Sequence, residues 1–266
     1  WRGGRRHCLC GPSELPFLRK ADQPGWACLP AYELIRVDIL KLLAEGEIHV
    51  EGRMPYSSNM TYRVQLISGD ETIRAIYKPK DGERPLWDFP PGLHKRETAA
   101  YELSVAMGIP FVPPTIIRNG PFGEGSFQHY IDADHVEHYF TLFEKRPELH
   151  DRFREIAVFD FIANNTDRKS GHVLIDKQDG IWGIDQGLCF SAQFKLRTVI
   201  WEFGGEKIAE PLLEAIARIH DAPPPAIAAL ISDAELAAMV QRCEWVLERG
   251  VLPVDESGHR YPWPLV

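Results

Sequence analysis

A chain of 266 residues with 44% hydrophobic and 26% charged side chains is long enough for one large domain or two packed lobes, and its composition is that of an ordinary globular protein, far from a disordered profile. Its formal charge of −8, from 38 acidic against 30 basic residues, argues against a dedicated polyanion binder, so no nucleic-acid partner is expected. No apolar run approaches the ~20 residues of a membrane helix, so no stable membrane insertion is expected either.

The five cysteines are Cys8, Cys10, Cys28, Cys189 and Cys243, an odd and scattered set unlike a disulfide framework. Cys8, Cys10 and Cys28 with His7 are the one candidate zinc group, but their spacing fits no common finger or ribbon, and ordinary reduced thiols are the simpler reading. Arg2, Arg5 and Arg6 precede no apolar stretch of secretory type, and a cytoplasmic location is expected.

Residues 1–30, rich in proline and glycine, read as an irregular arm. A helix fits Tyr32–Ala44, where Leu34, Ile35, Ile39, Leu42 and Leu43 recur at helical steps before Gly46. Strands are predicted over Glu47–Arg53, Thr61–Ile67 and Thr72–Lys78, the last two joined by a Ser68-Gly69-Asp70 turn. Alternation in the third strand puts Lys78 on the face of Ile76, opposite Ala75 and Tyr77. A loop over Pro79–Gly92, a helix over Lys95–Met107 and strands over Pro114–Arg118 and Ser126–Ile131 complete an α+β unit.

After the acidic stretch Asp132–His138 the pattern changes. A helix fits Asp151–Ala163, with Phe153, Ile156, Ala157, Asp160 and Phe161 on one face. Short strands over Val173–Asp176 and Ile181–Ile184 flank a Lys177-Gln178-Asp179-Gly180 turn, and helices follow over Pro211–Ile219, Pro225–Leu230 and Asp233–Glu248. The late aromatics Trp201, Phe203, Trp245, Tyr261 and Trp263 read as packing of this helical half, and His129, His135 and His138 as surface histidines.

Four polar residues stand at element ends in an informative order: Lys78 closing a strand, Glu97 in the next helix, Asp167 between a helix and a strand, and Asp185 after the following hairpin. That order resembles the protein-kinase-like fold. The set Tyr77-Lys78-Pro79, Gly82–Asp88, Arg96-Glu97, Asn165–His172 and Ile181–Asp185 is similar to a family of small bacterial phosphatidylinositol 3/4-kinase-like proteins related to HipA-like kinases, over roughly residues 45–205. The resemblance implies an α+β, bilobal protein-kinase-like fold. A small antiparallel-sheet N-lobe with one inserted helix spans residues 31–133, and a mainly helical C-lobe spans residues 134–266.

It further implies ATP and Mg²⁺, with Mn²⁺ as the alternative ion. Lys78 then holds the α- and β-phosphates and is itself held by Glu97; Asp167 receives the proton of the attacking hydroxyl; Asp185 binds the ion, with His172 and Asn165 as further metal candidates. The family has asparagine where this chain has His172, and imidazole suits Mn²⁺ better than Mg²⁺. Ser57, Ser58 and Asn59 stand where a phosphate loop is expected, though the segment has a single glycine, Gly52. Arg168 and Lys169 are candidates for phosphate or substrate charge, and adenine is expected near Gln128–Asp132.

The function expected is transfer of the γ-phosphoryl group to a hydroxyl acceptor, either a protein Ser or Thr or an inositol-type polyol or lipid. Only Lys195 and Arg197 are cationic in Gln186–Gly205, which tilts the acceptor away from anionic lipid. The alternatives are an ATP-binding pseudokinase, suggested by His172 and the glycine-poor loop, and a nucleotidyl transferase using Arg84 or Arg53.

Overall fold

The structure is a computed structural model that describes residues 29–55 and 57–266. The expected arm lies outside the described residues except for its last two, which already belong to the first helix; His7, Cys8, Cys10 and Cys28 lie outside them as well. Among the described residues no helix is long and apolar enough to cross a membrane.

The small lobe is built on a five-stranded antiparallel sheet in the order β1-β2-β3-β5-β4, from β1 (Glu47–Arg53), β2 (Tyr62–Ser68), β3 (Glu71–Pro79), β4 (Thr115–Gly120) and β5 (Gly123–His129). Strand alternation does what the sequence predicts. Val64, Leu66, Ala75, Tyr77 and Phe127 are buried on one face beneath Leu43 of helix α1 (Leu29–Glu45), each large side chain worth roughly 1.5–3 kcal/mol of apolar burial. The opposite face carries Ile76 and Lys78, and there helix α2 (Leu93–Ala106) brings Glu97 to Lys78. Gly125 pairs with Pro79, where a Cβ would strike the Lys78 carbonyl, so only glycine lets β5 lie this close to the lysine. β5 starts and ends earlier than predicted, because Gly120 pairs with Gly123 and Pro121-Phe122 alone make the turn.

The large lobe contains α3 (Tyr139–Lys145), α4 (His150–Ala163), the hairpin β6 (Val173–Ile175) and β7 (Ile181–Gly183), then α5 (Glu210–Asp221), α6 (Pro225–Ala228) and α7 (Asp233–Arg249). Helix α3 was not expected. It is a single short piece whose start is fixed by tertiary contacts: the His138 side chain meets Ser170 Oγ at 2.9 Å and Tyr139 is fully buried with its hydroxyl on Glu202. His138 and His129 are half-buried rather than on the surface, and only His135 is exposed. Trp201, Phe203 and Trp245 do pack in this lobe, whereas Tyr261 and Trp263 are exposed.

The larger core crosses the lobe division. Ala99, Ala100, Tyr101 and Leu103 of α2, with Phe111 and Val112 after it, share one apolar cluster with Phe159 and Ile162 of α4. A buried ion pair between Arg96 of α2 and Glu235 of α7 adds a polar tie. Helix α2, which carries Glu97, is therefore fixed to the large lobe as well as to the sheet.

Candidate active site

Helix α2 begins after Pro90-Pro91 and Gly92, whose φ of 104° needs glycine. The Glu83 carboxylate accepts from the backbone N–H groups of Gly92 and His94 at 2.8 and 2.9 Å, satisfying donors that a helix start leaves free. Burial opposes the charge on Glu83, but these bonds and one from the His94 ring win and hold its pKa near about 2. With α2 so anchored, Glu97 is buried and its two oxygens divide: one accepts from Lys78 Nζ, the other from the Gln186 N–H at 3.0 Å.

Lys78 Nζ also donates to Asp185 Oδ1 at 2.8 Å. Burial works against the ammonium charge, yet Asp185 and Glu97 together raise its pKa above the ordinary lysine range. Reciprocally, Lys78 pulls the Asp185 carboxyl well below the usual carboxylate range, against its own desolvation. Asp185 follows β7 with a φ of 60°, a left-handed conformation uncommon outside glycine, and its side chain is 55% exposed into the cleft. Residues 107 apart in sequence are thus joined by one ammonium.

Helix α4 ends on Asn164, in the left-handed region at φ 51°, and the chain turns into Asn165-Thr166-Asp167. Asp167 faces the cleft. Its burial raises the pKa, while the ion pair with Lys169 at 2.9 Å pulls the other way. His172 closes the same wall with Nε2 3.6 Å from Asp185 Oδ2; burial lowers its pKa to about 4, so it is neutral at pH 7. The Lys169 N–H donates to its Nδ1 at 3.4 Å, which puts the ring proton on Nε2, facing Asp185.

Two continuous cavities meet at these groups. One, of about 460 Å³, is lined by Ser57, Ser58, Asn59, Arg84, Asp167 and Lys169 among others. The second, of about 290 Å³, lies between Ile76 of the sheet and Leu174 and Ile184 of the large lobe, beside Gln128, His129, Tyr130 and Ile131. Ser57, Thr61, Lys78, His172 and Asp185 line both. An apolar slot beside a polar chamber, with the Lys78 ammonium and the Asp185 carboxylate at the junction, suits a base joined to a phosphate chain. Ser57, Ser58, Asn59, Lys78, Glu97, Asp167, His172 and Asp185 are therefore together.

Two expected site residues are elsewhere. Arg168 does not reach the cleft: it is 0% exposed, its Nε and Nη2 donate to Asp160 of α4, its Nη1 to the Ile184 carbonyl at 3.2 Å, and its Nη2 also to Gln186 Oε1 at 2.9 Å. Of the two basic neighbours of Asp167, only Lys169 lines the chamber. Asn165 is likewise buried: its Nδ2 donates to Asp160 and Gln186, and its Oδ1 accepts from the Asp167 N–H at 3.0 Å, so it shapes the loop and has no oxygen turned to an ion. Asp160, read only as one position of a buried helix stripe, is the hub of this network, and Thr198 Oγ1 binds it too at 3.0 Å. An aspartate on an apolar stripe eight residues before an arginine was the available signal. Glu83 and Gln186 carried no such signal.

Burial of His129 beside the apolar slot also lowers its pKa, to about 4. An imidazole that stays neutral when folded but protonates near pH 6.5 when unfolded makes the unfolded state bind more protons between those values, so stability falls as pH drops through that window. Between pH 7 and 5 the wild type should lose up to about 2 kcal/mol from this one group, measured by urea unfolding, and His129→Gln should remove that share.

The sheet, the α2 bridge to its lysine and the loop–hairpin of the large lobe define a protein-kinase-like fold, and solved structures agree. The Golgi casein kinase with Mn and ADP bound superposes with a TM-score of 0.56 at 14% identity over 88% of this chain and 81% of that one. Hydra Fam20 with sugar gives 0.54 at 12% identity over 82% of this chain and 88% of that one. By sequence, the chain belongs to the family of Protein Rv2133c of Mycobacterium tuberculosis, with 37% identity over 268 residues covering 86% of this chain and 96% of that protein. No family profile matches the sequence. The kinase fold stands; none of these likenesses singles out phosphatidylinositol kinases.

Proposed function

We propose that this chain is an ATP-dependent phosphotransferase that passes the γ-phosphoryl group to a hydroxyl. The observation that carries the reading is the single ammonium of Lys78 lying between Glu97 and Asp185 at the junction of a base-sized slot and a polar chamber. Residues 31–133 then form the phosphate-holding lobe and residues 134–266 the catalytic lobe, with the hinge near residues 130–137.

In this mechanism Lys78 moves from Asp185 onto the α- and β-phosphates while Glu97 keeps it aimed. Ser57, Ser58 and Asn59 line the chamber as further phosphate partners, and Lys169 faces the transferred group. Asp167 takes the hydroxyl proton as the acceptor oxygen bonds to γ-phosphorus and the bond to the β,γ-bridging oxygen breaks, releasing ADP. The ion-binding residues fit a cation held partly by substrate. Among the described residues no three His, Cys, Asp or Glu side chains cluster as a metal cage, whereas Asp185 is an open carboxylate now occupied by an ammonium. A divalent ion held at Asp185 would neutralise phosphate charge.

Ion choice turns on His172, because coordination through Nε2 requires the opposite tautomer from the one its neighbours favour. His172→Asn should raise the Mg²⁺-supported rate relative to the Mn²⁺-supported rate; an unchanged ratio would mean the ring stays off the ion. For the acceptor, Lys195 is already committed to Asp88, at 3.3 Å, leaving Arg197 as the one other cation in Gln186–Gly205. That supports a protein or polyol hydroxyl over an anionic membrane lipid.

The test is incubation with γ-labelled ATP and Mg²⁺ or Mn²⁺, beside an Asp185→Ala control. Label transferred to protein or polyol only by the wild type supports the proposal. Binding without turnover points to a pseudokinase, and label arriving only from α-labelled ATP points to nucleotidyl transfer.

A further inference from the structure

A third cavity, of about 370 Å³, lies in the large lobe away from the cleft, walled by Phe161, Phe194, Trp201 and Trp245 with Arg242 and Arg260. Its walls are aromatic, but its charge is not balanced. Arg260, at the exposed side, has Asp255 3.7 Å away and stacks its guanidinium over Phe194 at 4.8 Å. Arg242 of α7 is only 7% exposed, and among the described residues no ion pair joins it to a carboxylate. Its Nε donates to the Ile162 carbonyl at 2.7 Å, while its Nη2 is buried with no acceptor among the described residues.

A buried guanidinium lacking an anion is costly, and a planar fork of N–H donors is the natural partner of a carboxylate. Burial lowers the Arg242 pKa only to about 10, so the group is a cation at pH 7 and its charge remains to be met. The volume falls in the range of small-ligand sites, and aromatic walls suit an aliphatic body.

We propose that this cavity is a binding site for a small amphipathic carboxylate, with the acid on Arg242 and an acyl chain between Trp201, Trp245 and Phe194. The site stands apart from the proposed phosphotransfer, so its occupancy can be read without ATP. Arg242 holds the last turn of α4, two residues before Asn164, and Phe194 and Trp201 follow Asp185 in the chain; the ligand would thus touch both segments that leave the cleft.

Octanoate below its micelle concentration, titrated into the full chain and followed by tryptophan fluorescence and calorimetry, should bind saturably. Octanol should bind at least tenfold more weakly, and each methylene removed from the acid should weaken binding about fourfold. Arg242→Met should bring octanoate down to the octanol level. Ala238→Phe, which fills the cavity from α7 and leaves Arg242 in place, should abolish both. Equal binding of acid and alcohol, no saturation by octanoate, or unchanged binding in Ala238→Phe would each overturn the proposal, and the wild-type comparison with Ala238→Phe decides it even if Arg242→Met fails to fold.

Discussion

Replacing Lys78 by methionine should lower phosphotransfer by about 10²–10³-fold, as removal of one preorganised charge donor does at comparable sites. The magnitude follows from what the ammonium touches. Methionine keeps the unbranched stem that runs along the Ile76 face of β3, so the strand and its pairing with Ser126 persist. What is lost is the Lys78 cation between the sheet and Asp185, while Glu97 keeps its bond from the Gln186 N–H. The assay is label transfer from γ-labelled ATP at saturating Mn²⁺ and Mg²⁺, with circular dichroism to confirm folding. Folded variant with wild-type turnover would remove Lys78 from the chemistry.

The largest stability effect is expected not in the cleft but beneath it. Arg168 and Asp160 are both 0% exposed, and the pair ties α4 to the Ile184 carbonyl, Gln186 and Thr198. Arg168→Met leaves Asp160 charged, buried and short of its main donors, a situation that costs about 3–5 kcal/mol. For a chain of this length that is roughly 6–20 °C in Tm. Asp160→Asn combined with Arg168→Met should lose less than the sum of the single variants, because the second change removes the stranded charge. Urea midpoints of the four proteins measure it, and a single variant within about 1 kcal/mol of wild type would show that the pair does not hold the loop.

These two arginine-network residues also mark where sequence reading stops. Lys78 was legible because a strand has period two: once Ala75 and Tyr77 are inside, Lys78 must share the other face with Ile76. Glu97 and Asp185 were legible through chain order, and the structure joins both to one ammonium. Arg168 was misread because a cation beside Asp167 looks like a phosphate partner, yet neighbours in an irregular loop point in unrelated directions. Here Asp167 faces the chamber and Arg168 the core. Asn165 was misread similarly: its amide is consumed in holding Asp160, Gln186 and the Asp167 N–H.

Other features left no local trace. The Glu83 cap on α2 spans eleven residues to His94, and the Arg96–Glu235 tie spans 139. Neither has a periodic signature, since a capping carboxylate in a Pro-Gly loop and an arginine on a helix each fit a solvated surface equally well. Helix α3 was hidden because its start depends on Ser170 and Glu202, which the chain reaches only later. Long-range polar partners, rather than apolar pattern, are what the sequence withheld.

In the proposed function a nucleoside phosphate chain is held between Lys78 and Asp185. Calorimetric titration of ADP with Mn²⁺ into wild type, Lys78→Met and Asp185→Ala tests it most directly. The wild type should bind saturably and only with Mn²⁺, Lys78→Met should bind at least tenfold more weakly, and Asp185→Ala should lose the Mn²⁺ requirement. Binding of equal strength in all three proteins, or none in the wild type, would contradict it.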